Sequence, residues 1–159
     1  MEIERKFLID ELPRLDRFEH SEIEQGYLSL ADPEGGAEVR LRRRGDELTL
    51  TAKSGGGRVR EEEEIELEQD EFERLWRLTE GRRLAKRRYL IPHEGREVEL
   101  DVYGGGLDGL TVAEVEFADE RQAQEFEPPE WFGDEVTGTE EYLNESLATK
   151  GRPRSLRSS

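Results

Sequence analysis

The strongest constraint in this chain is a two-residue rhythm, one parity charged and the other apolar, that returns in segment after segment. Side chains alternate faces along a β-strand, so this rhythm divides each strand into a wet face and a greasy one. It predicts strands over residues 2–9, 20–30, 37–43, 47–53, 58–68, 83–91, 96–102 and 111–117. Asp32-Pro33-Glu34-Gly35-Gly36, Gly45-Asp46, Ser54-Gly55-Gly56-Gly57, Pro92-His93-Glu94-Gly95 and Gly104-Gly105-Gly106 punctuate them as turns. Between the fifth and sixth strands the rhythm changes. Phe72, Leu75, Trp76 and Thr79 follow the helical i, i+3, i+4, i+7 stripe, with Asp70 and Glu71 before it and Gly81 after it, which predicts a helix over 69–80. Short helices are expected from Asp119 and over 139–148. The expected organisation is one α+β domain over 1–148 and a disordered basic tail over 149–159.

The charges are sorted by sign as well as by face. Glu2, Glu4 and Lys6 oppose Ile3 and Phe7; Arg40 and Arg42 oppose Val39 and Leu41; Thr49, Thr51 and Lys53 oppose Leu48, Leu50 and Ala52. Arg60, Glu62 and Glu64 oppose Val59, Ile65 and Leu67, and Lys86 and Arg88 oppose Ala85 and Tyr89. Glu97, Glu99 and Asp101 oppose Val98, Leu100 and Val102, and Glu114 and Glu116 oppose Ala113, Val115 and Phe117. An ordinary antiparallel sheet wets one face in the same way, but a face built for stability mixes signs. Here like charges recur two apart, and they repel unless something neutralises them. Eight antiparallel strands can close around a small ligand. The fold class read from this is a closed eight-stranded antiparallel β-barrel with a few flanking helices. Its charged parity faces inward, and Leu75, Trp76, Trp131 and the C-terminal helix cover the apolar outside. Such an interior is stable only if its charges are paired with one another or with a ligand.

Composition narrows the chemistry. A net charge of −16 argues against nucleic acid as a partner, because a duplex demands a basic surface. The absence of cysteine removes disulfides, a thiolate nucleophile and zinc–thiolate sites. No apolar run suits a membrane span or a secretory signal, so a cytoplasmic protein with no membrane partner is expected. His20 and His93 fall near a strand start and in a turn, so neither is expected to ligate the metal. What remains is an all-oxygen carboxylate set, suited to Mg²⁺ or Mn²⁺, facing arginines and lysines that match phosphate oxygens. Together they describe a site for a metal-bound polyphosphate, without a Walker-type loop or a serine nucleophile motif.

The opening Glu2-Ile3-Glu4-Arg5-Lys6-Phe7-Leu8 matches an ExExK motif. It is followed in order by Gln25-Gly26-Tyr27-Leu28, Val39-Arg40-Leu41-Arg42, Thr49 to Lys53, Arg60 with Glu62 and Glu64, Lys86-Arg87-Arg88, Leu100 to Tyr103, Ala113 to Glu116, Trp131, Glu135 to Thr137 and Tyr142 to Asn144. In these motifs the chain resembles the CYTH superfamily, the triphosphate tunnel metalloenzymes, and most closely their short bacterial members. One departure is Val98, where relatives often carry Trp. The resemblance implies a tunnel in which Mg²⁺ or Mn²⁺ is held by Glu2, Glu4, Glu62, Glu64, Asp101, Glu114 and Glu116. Lys6, Arg40, Arg42, Lys53, Arg60, Lys86 and Arg88 would then grip a small-molecule triphosphate. Glu4, Lys6, Tyr27 and Lys86 would stand closest to the chemistry, and the helix around 142–147 would plug or line one tunnel end. Hydrolysis of inorganic tripolyphosphate to pyrophosphate and phosphate is the activity expected, by a monomer or homodimer. Class IV adenylate cyclase, thiamine or nucleoside triphosphatase activity, RNA 5′-triphosphate removal and a non-catalytic polyphosphate-binding module stand as alternatives, and a salt-adapted structural domain would not sort its basic residues onto strand faces.

Overall fold

A computed structural model of the protein describes residues 3–31, 36–54 and 61–153. Eight strands form one antiparallel sheet: β1 (Ile3–Leu8), β2 (His20–Ser29), β3 (Ala37–Arg44), β4 (Glu47–Ser54), β5 (Glu62–Glu66), β6 (Arg83–His93), β7 (Arg96–Tyr103) and β8 (Thr111–Phe117). Their order across the sheet is β1-β8-β7-β6-β2-β3-β4-β5. Two of the neighbouring pairs, β3–β4 and β6–β7, are joined by two-residue hairpins. In the β6–β7 turn Glu94 and Gly95 take φ of 48° and 78°, the left-handed pair that a two-residue hairpin needs to follow the strand twist. No helix of the described residues is long and apolar enough to cross a membrane.

The two faces divide as the alternation requires. Cross-strand partners point the same way, so the pairs Glu4–Glu116, Lys6–Glu114, Glu99–Glu114, Arg88–Asp101, Tyr27–Arg40 and Gln25–Arg42 all lie on one face. That face is concave, because residues of β1 and of β4, six strands along the sheet, line a single cavity. On the convex face Tyr89, Ile91, Val98, Leu100, Ala113, Val115 and Phe117 pack under helix α2 (Glu120–Glu125) and the aromatic segment Phe126, Trp131 and Phe132. Asp119 caps α2 by accepting from the Gln122 amide at 2.8 Å.

The expected helix over 69–80 is α1 (Gln69–Trp76) followed by a 3₁₀ turn over Arg77–Thr79. Glu71 reaches back to the Glu68 amide at 2.8 Å and closes the first turn. The turn packs on β2 at Gly26, where an added Cβ would stand 2.7 Å from Thr79 Oγ1, so only glycine fits. Arg43 on β3 lies over the Phe72 ring of α1.

Three expectations are corrected. The sheet is not closed. The free edge of β1 is already taken: Leu8 N donates to Asp134 O, Gly133 N to Leu8 O and Val136 N to Lys6 O, with a bridge between Phe7 and Glu135. This satisfies backbone groups that would otherwise seek β5, and leaves β1 and β5 as the two ends of a curled, open sheet. The C-terminal helix is broken by extended Leu143 into a 3₁₀ turn and α3 (Asn144–Lys150), and it packs at one end of the concave face, where the resemblance put it, rather than on the outside, where the alternation put it. There Leu147 and Ala148 meet Tyr27, Leu84, Tyr103 and Val112, the apolar end of the inner face. The boundary expected at 148 therefore falls inside α3. Beyond it Arg152 donates to the Asp108 carbonyl and Pro153 is buried, so 149–153 belong to the folded body, while 154–159 lie outside the described residues.

Candidate active site

A cavity of about 360 Å³ occupies the polar part of the concave face. Its acidic wall comes from β1 and β8. Register sets Glu4 against Glu116 and Lys6 against Glu114, and one carboxylate oxygen from each of Glu4, Glu114 and Glu116 lies within 4.8 Å of the others. Burial, then a hydrogen bond and repulsion from Glu4, push Glu114 up to about 7. The crowding of Glu114 against Glu4 is one that a divalent cation would relieve. Three carboxylates and no nitrogen or sulfur donor form an all-oxygen set that fits Mg²⁺ or Mn²⁺. Lys6, buried beside them, donates from Nζ to the Tyr142 carbonyl at 3.2 Å, tying β1 to the turn before α3.

The opposite wall is cationic and is built by β3 and β4. Arg40, Arg42 and Lys53 line it, with Glu38 at its margin. Arg40 Nε is buried without a hydrogen-bond partner. Arg42 donates from Nε and Nη2 to Gln25 Oε1, at 3.2 and 3.1 Å. Burial first, then the neighbouring Arg40 and Arg88, push the Arg42 guanidinium down to about 10. An arginine lowered this way sits in a positive field that favours an anion. Tyr27 lines the cavity between the walls, and burial raises its phenol to about 12.

A third group, from β6 and β7, is internally compensated. Arg88 forms a fork with Asp101, Nε to Oδ1 at 2.8 Å and Nη2 to Oδ2 at 3.0 Å, and its Nη1 lies 2.7 Å from Glu99. Lys86 Nζ, wholly buried, is 2.9 Å from Asp101 Oδ2, though off the line of a good hydrogen bond, and 5.6 Å from the Tyr103 ring centre. Burial opposes the Asp101 charge, but Lys86 and Arg88 together hold its carboxyl well below the usual range. Burial lowers Lys86 to about 8 despite Asp101.

The structure thus gathers Glu4, Lys6, Tyr27, Arg40, Arg42, Lys53, Arg88, Glu114 and Glu116 around one cavity. It separates others from it. Asp101, expected among the metal acids, is taken up by Arg88 and Lys86. Lys86, expected as a triphosphate contact, is buried beside Asp101 and does not line the cavity. Glu62 and Glu64 sit exposed on β5, where Glu64 accepts from Thr51 Oγ1 at 3.1 Å. Glu2 and Arg60 lie outside the described residues. Sequence reasoning passed over Glu99, Glu38, Gln25, Asn144 and Glu145. The first two share parity with nominated neighbours; the last two belong to a segment far along the chain that packs against the sheet's end.

Carboxylates clustered within reach of one cation, across a small cavity from arginines that among the described residues bond no carboxylate, give the inner face of this curled antiparallel sheet the chemistry suited to a cation and a polyanion. Residues 1–151 match the family model described as the CYTH domain, and the chain belongs to that family. It is 47% identical over 150 residues to an inorganic triphosphatase of Nitrosomonas europaea, covering 92% of this chain and 96% of that protein. It is 35% identical over 148 residues to an inorganic triphosphatase of Acetivibrio thermocellus, covering 92% of each. A crystal structure of an inorganic triphosphatase, 43% identical, superposes with a TM-score of 0.77 over 94% of this chain and 95% of that one.

Proposed function

We propose that the protein hydrolyses inorganic tripolyphosphate to pyrophosphate and phosphate with Mg²⁺ or Mn²⁺. The observation that carries this is the pairing of Glu4, Glu114 and Glu116 with Arg40, Arg42 and Lys53 across one polar cavity. Two relatives of nearly the same length, both inorganic triphosphatases, support the substrate class. The cations bind the non-bridging oxygens of a linear triphosphate, Arg by forked donors and Lys as a point charge. Glu4, Glu114 and Glu116 would hold the cation, which when bound polarises phosphoryl oxygens and offsets their charge. Water attacks the terminal phosphorus in line, the anhydride bond breaks with its electron pair leaving on pyrophosphate, and the proton given up by the water passes to a product phosphate oxygen or to solvent. The residues contribute positioning and charge compensation, which are the main demands of phosphoryl transfer.

Phosphate release from tripolyphosphate, thiamine triphosphate and ATP, each with Mg²⁺, Mn²⁺ or chelator, tests the reading. Metal-dependent release fastest from tripolyphosphate is expected. Cyclic AMP from ATP would move the assignment to a cyclase, and binding without release from any triphosphate to a binding module.

A further inference from the structure

Gln25 is wholly buried, yet its side-chain amide sits between two groups of the cavity. Arg42 directs Nε and Nη2 at one end of it, and the Tyr27 hydroxyl meets the other at 3.0 Å. A guanidinium only donates, so the end facing Arg42 must be the oxygen, and the end facing Tyr27 must be the NH₂. The Tyr27 hydroxyl therefore accepts from Gln25, and its own proton is turned away toward another acceptor. Tyr27 and Arg42 both line the cavity. Their order along the sheet follows from register: Gln25 pairs with Arg42 and Tyr27 with Arg40.

We infer that Gln25 is a positioning residue for triphosphate: its neutral amide makes the Tyr27 hydroxyl a donor into the cavity and orients Arg42 without neutralising it. The inference rests on the triphosphatase reading above. Neutrality is the essential property. A carboxylate at this position would saturate the Arg42 charge as Asp101 saturates Arg88, and it would accept the Tyr27 proton instead of donating to the oxygen. Both changes remove attraction for a polyanion while leaving a well-bonded interior.

Gln25→Glu separates this role from a purely structural one, because it keeps the shape and strengthens the bond to Arg42. Melting is measured with and without tripolyphosphate in chelator, and KM and kcat for phosphate release are measured with Mg²⁺, for the wild type, Gln25→Glu, Tyr27→Phe and the double variant. Gln25→Glu is expected to melt no lower than the wild type, to lose most of the tripolyphosphate-induced melting shift, and to raise KM at least about tenfold, the scale of one lost charge-assisted contact. The change should fall on KM more than kcat, since binding is lost in ground and transition states alike. Tyr27→Phe should raise KM several-fold alone and less than about twofold on top of Gln25→Glu, the coupling expected of residues in one hydrogen-bonded chain. A Gln25→Glu protein with wild-type KM, or a Tyr27→Phe effect equal in both backgrounds, would overturn the inference. If Gln25→Glu does not fold, Gln25→Met replaces it in the cycle, with the same additivity overturning the inference. A wild-type protein that neither hydrolyses tripolyphosphate nor is stabilised by it overturns the reading itself, and the inference with it.

Discussion

Two walls of one cavity hold arginines in opposite ways. On β6–β7, Arg88 is saturated by Asp101 and Glu99, and the fork to Asp101 raises its guanidinium despite burial. On β2–β3, Arg42 has Gln25 as its partner, and burial with Arg40 and Arg88 nearby lowers it to about 10. The first arrangement is complete without a ligand. The second leaves the Arg42 charge facing only a neutral amide among the described residues, which suits it to an anion. Residues of the same type on the same face therefore divide into those met by carboxylates and those met by a neutral amide, and cross-strand register makes the division.

Asp101→Asn should strike the compensated wall hardest. It leaves Lys86 and Arg88 buried with one carboxylate fewer, a loss of about 3–5 kcal/mol read by denaturant melts. A loss below about 1 kcal/mol would break the contrast. Glu4→Gln should do the reverse. It removes the charge that repels buried Glu114, so the fold should hold or gain slightly, while metal-dependent phosphate release falls about 100-fold or more, as read by initial rates over a Mg²⁺ titration. Arg42→Met should leave stability within about 1 kcal/mol, because it also relieves repulsion from Arg40 and Arg88, and should raise KM about tenfold. The smallest effect concerns acid. The Asp101 carboxyl is depressed in the fold, so its contribution is full above the unfolded value of about 3.9 and fades as pH falls below it. The difference in melting temperature between the wild type and Asp101→Asn should narrow below about pH 4, and a constant difference would contradict the assignment.

The alternation made the strands and their charged face legible, and the helical stripe at Phe72, Leu75 and Trp76 made α1 legible, because both are local periodicities. Asp101 could not be told from Glu114 by parity, since both lie on the inner face. What separates them is the partner across the ladder, Arg88 for one and Lys6 with Glu99 for the other. Openness of the sheet was hidden for a similar reason. The segment that occupies the edge of β1 comes from residues 133–136, more than a hundred positions away, and nothing in either stretch alone announces the contact. Gln25 stood in a recognised motif without a role, because a lone glutamine in a strand has no charge pattern; its meaning lies in the two side chains it touches.

The decisive experiment is a crystal structure of the protein with tripolyphosphate and Mn²⁺, with anomalous scattering recorded at the manganese edge. A manganese peak bound by Glu4, Glu114 and Glu116 is expected, with phosphate oxygens on Arg40, Arg42 and Lys53 and the Arg88–Asp101 fork unbroken. Manganese bound at Asp101, or tripolyphosphate held on the convex face, would contradict it.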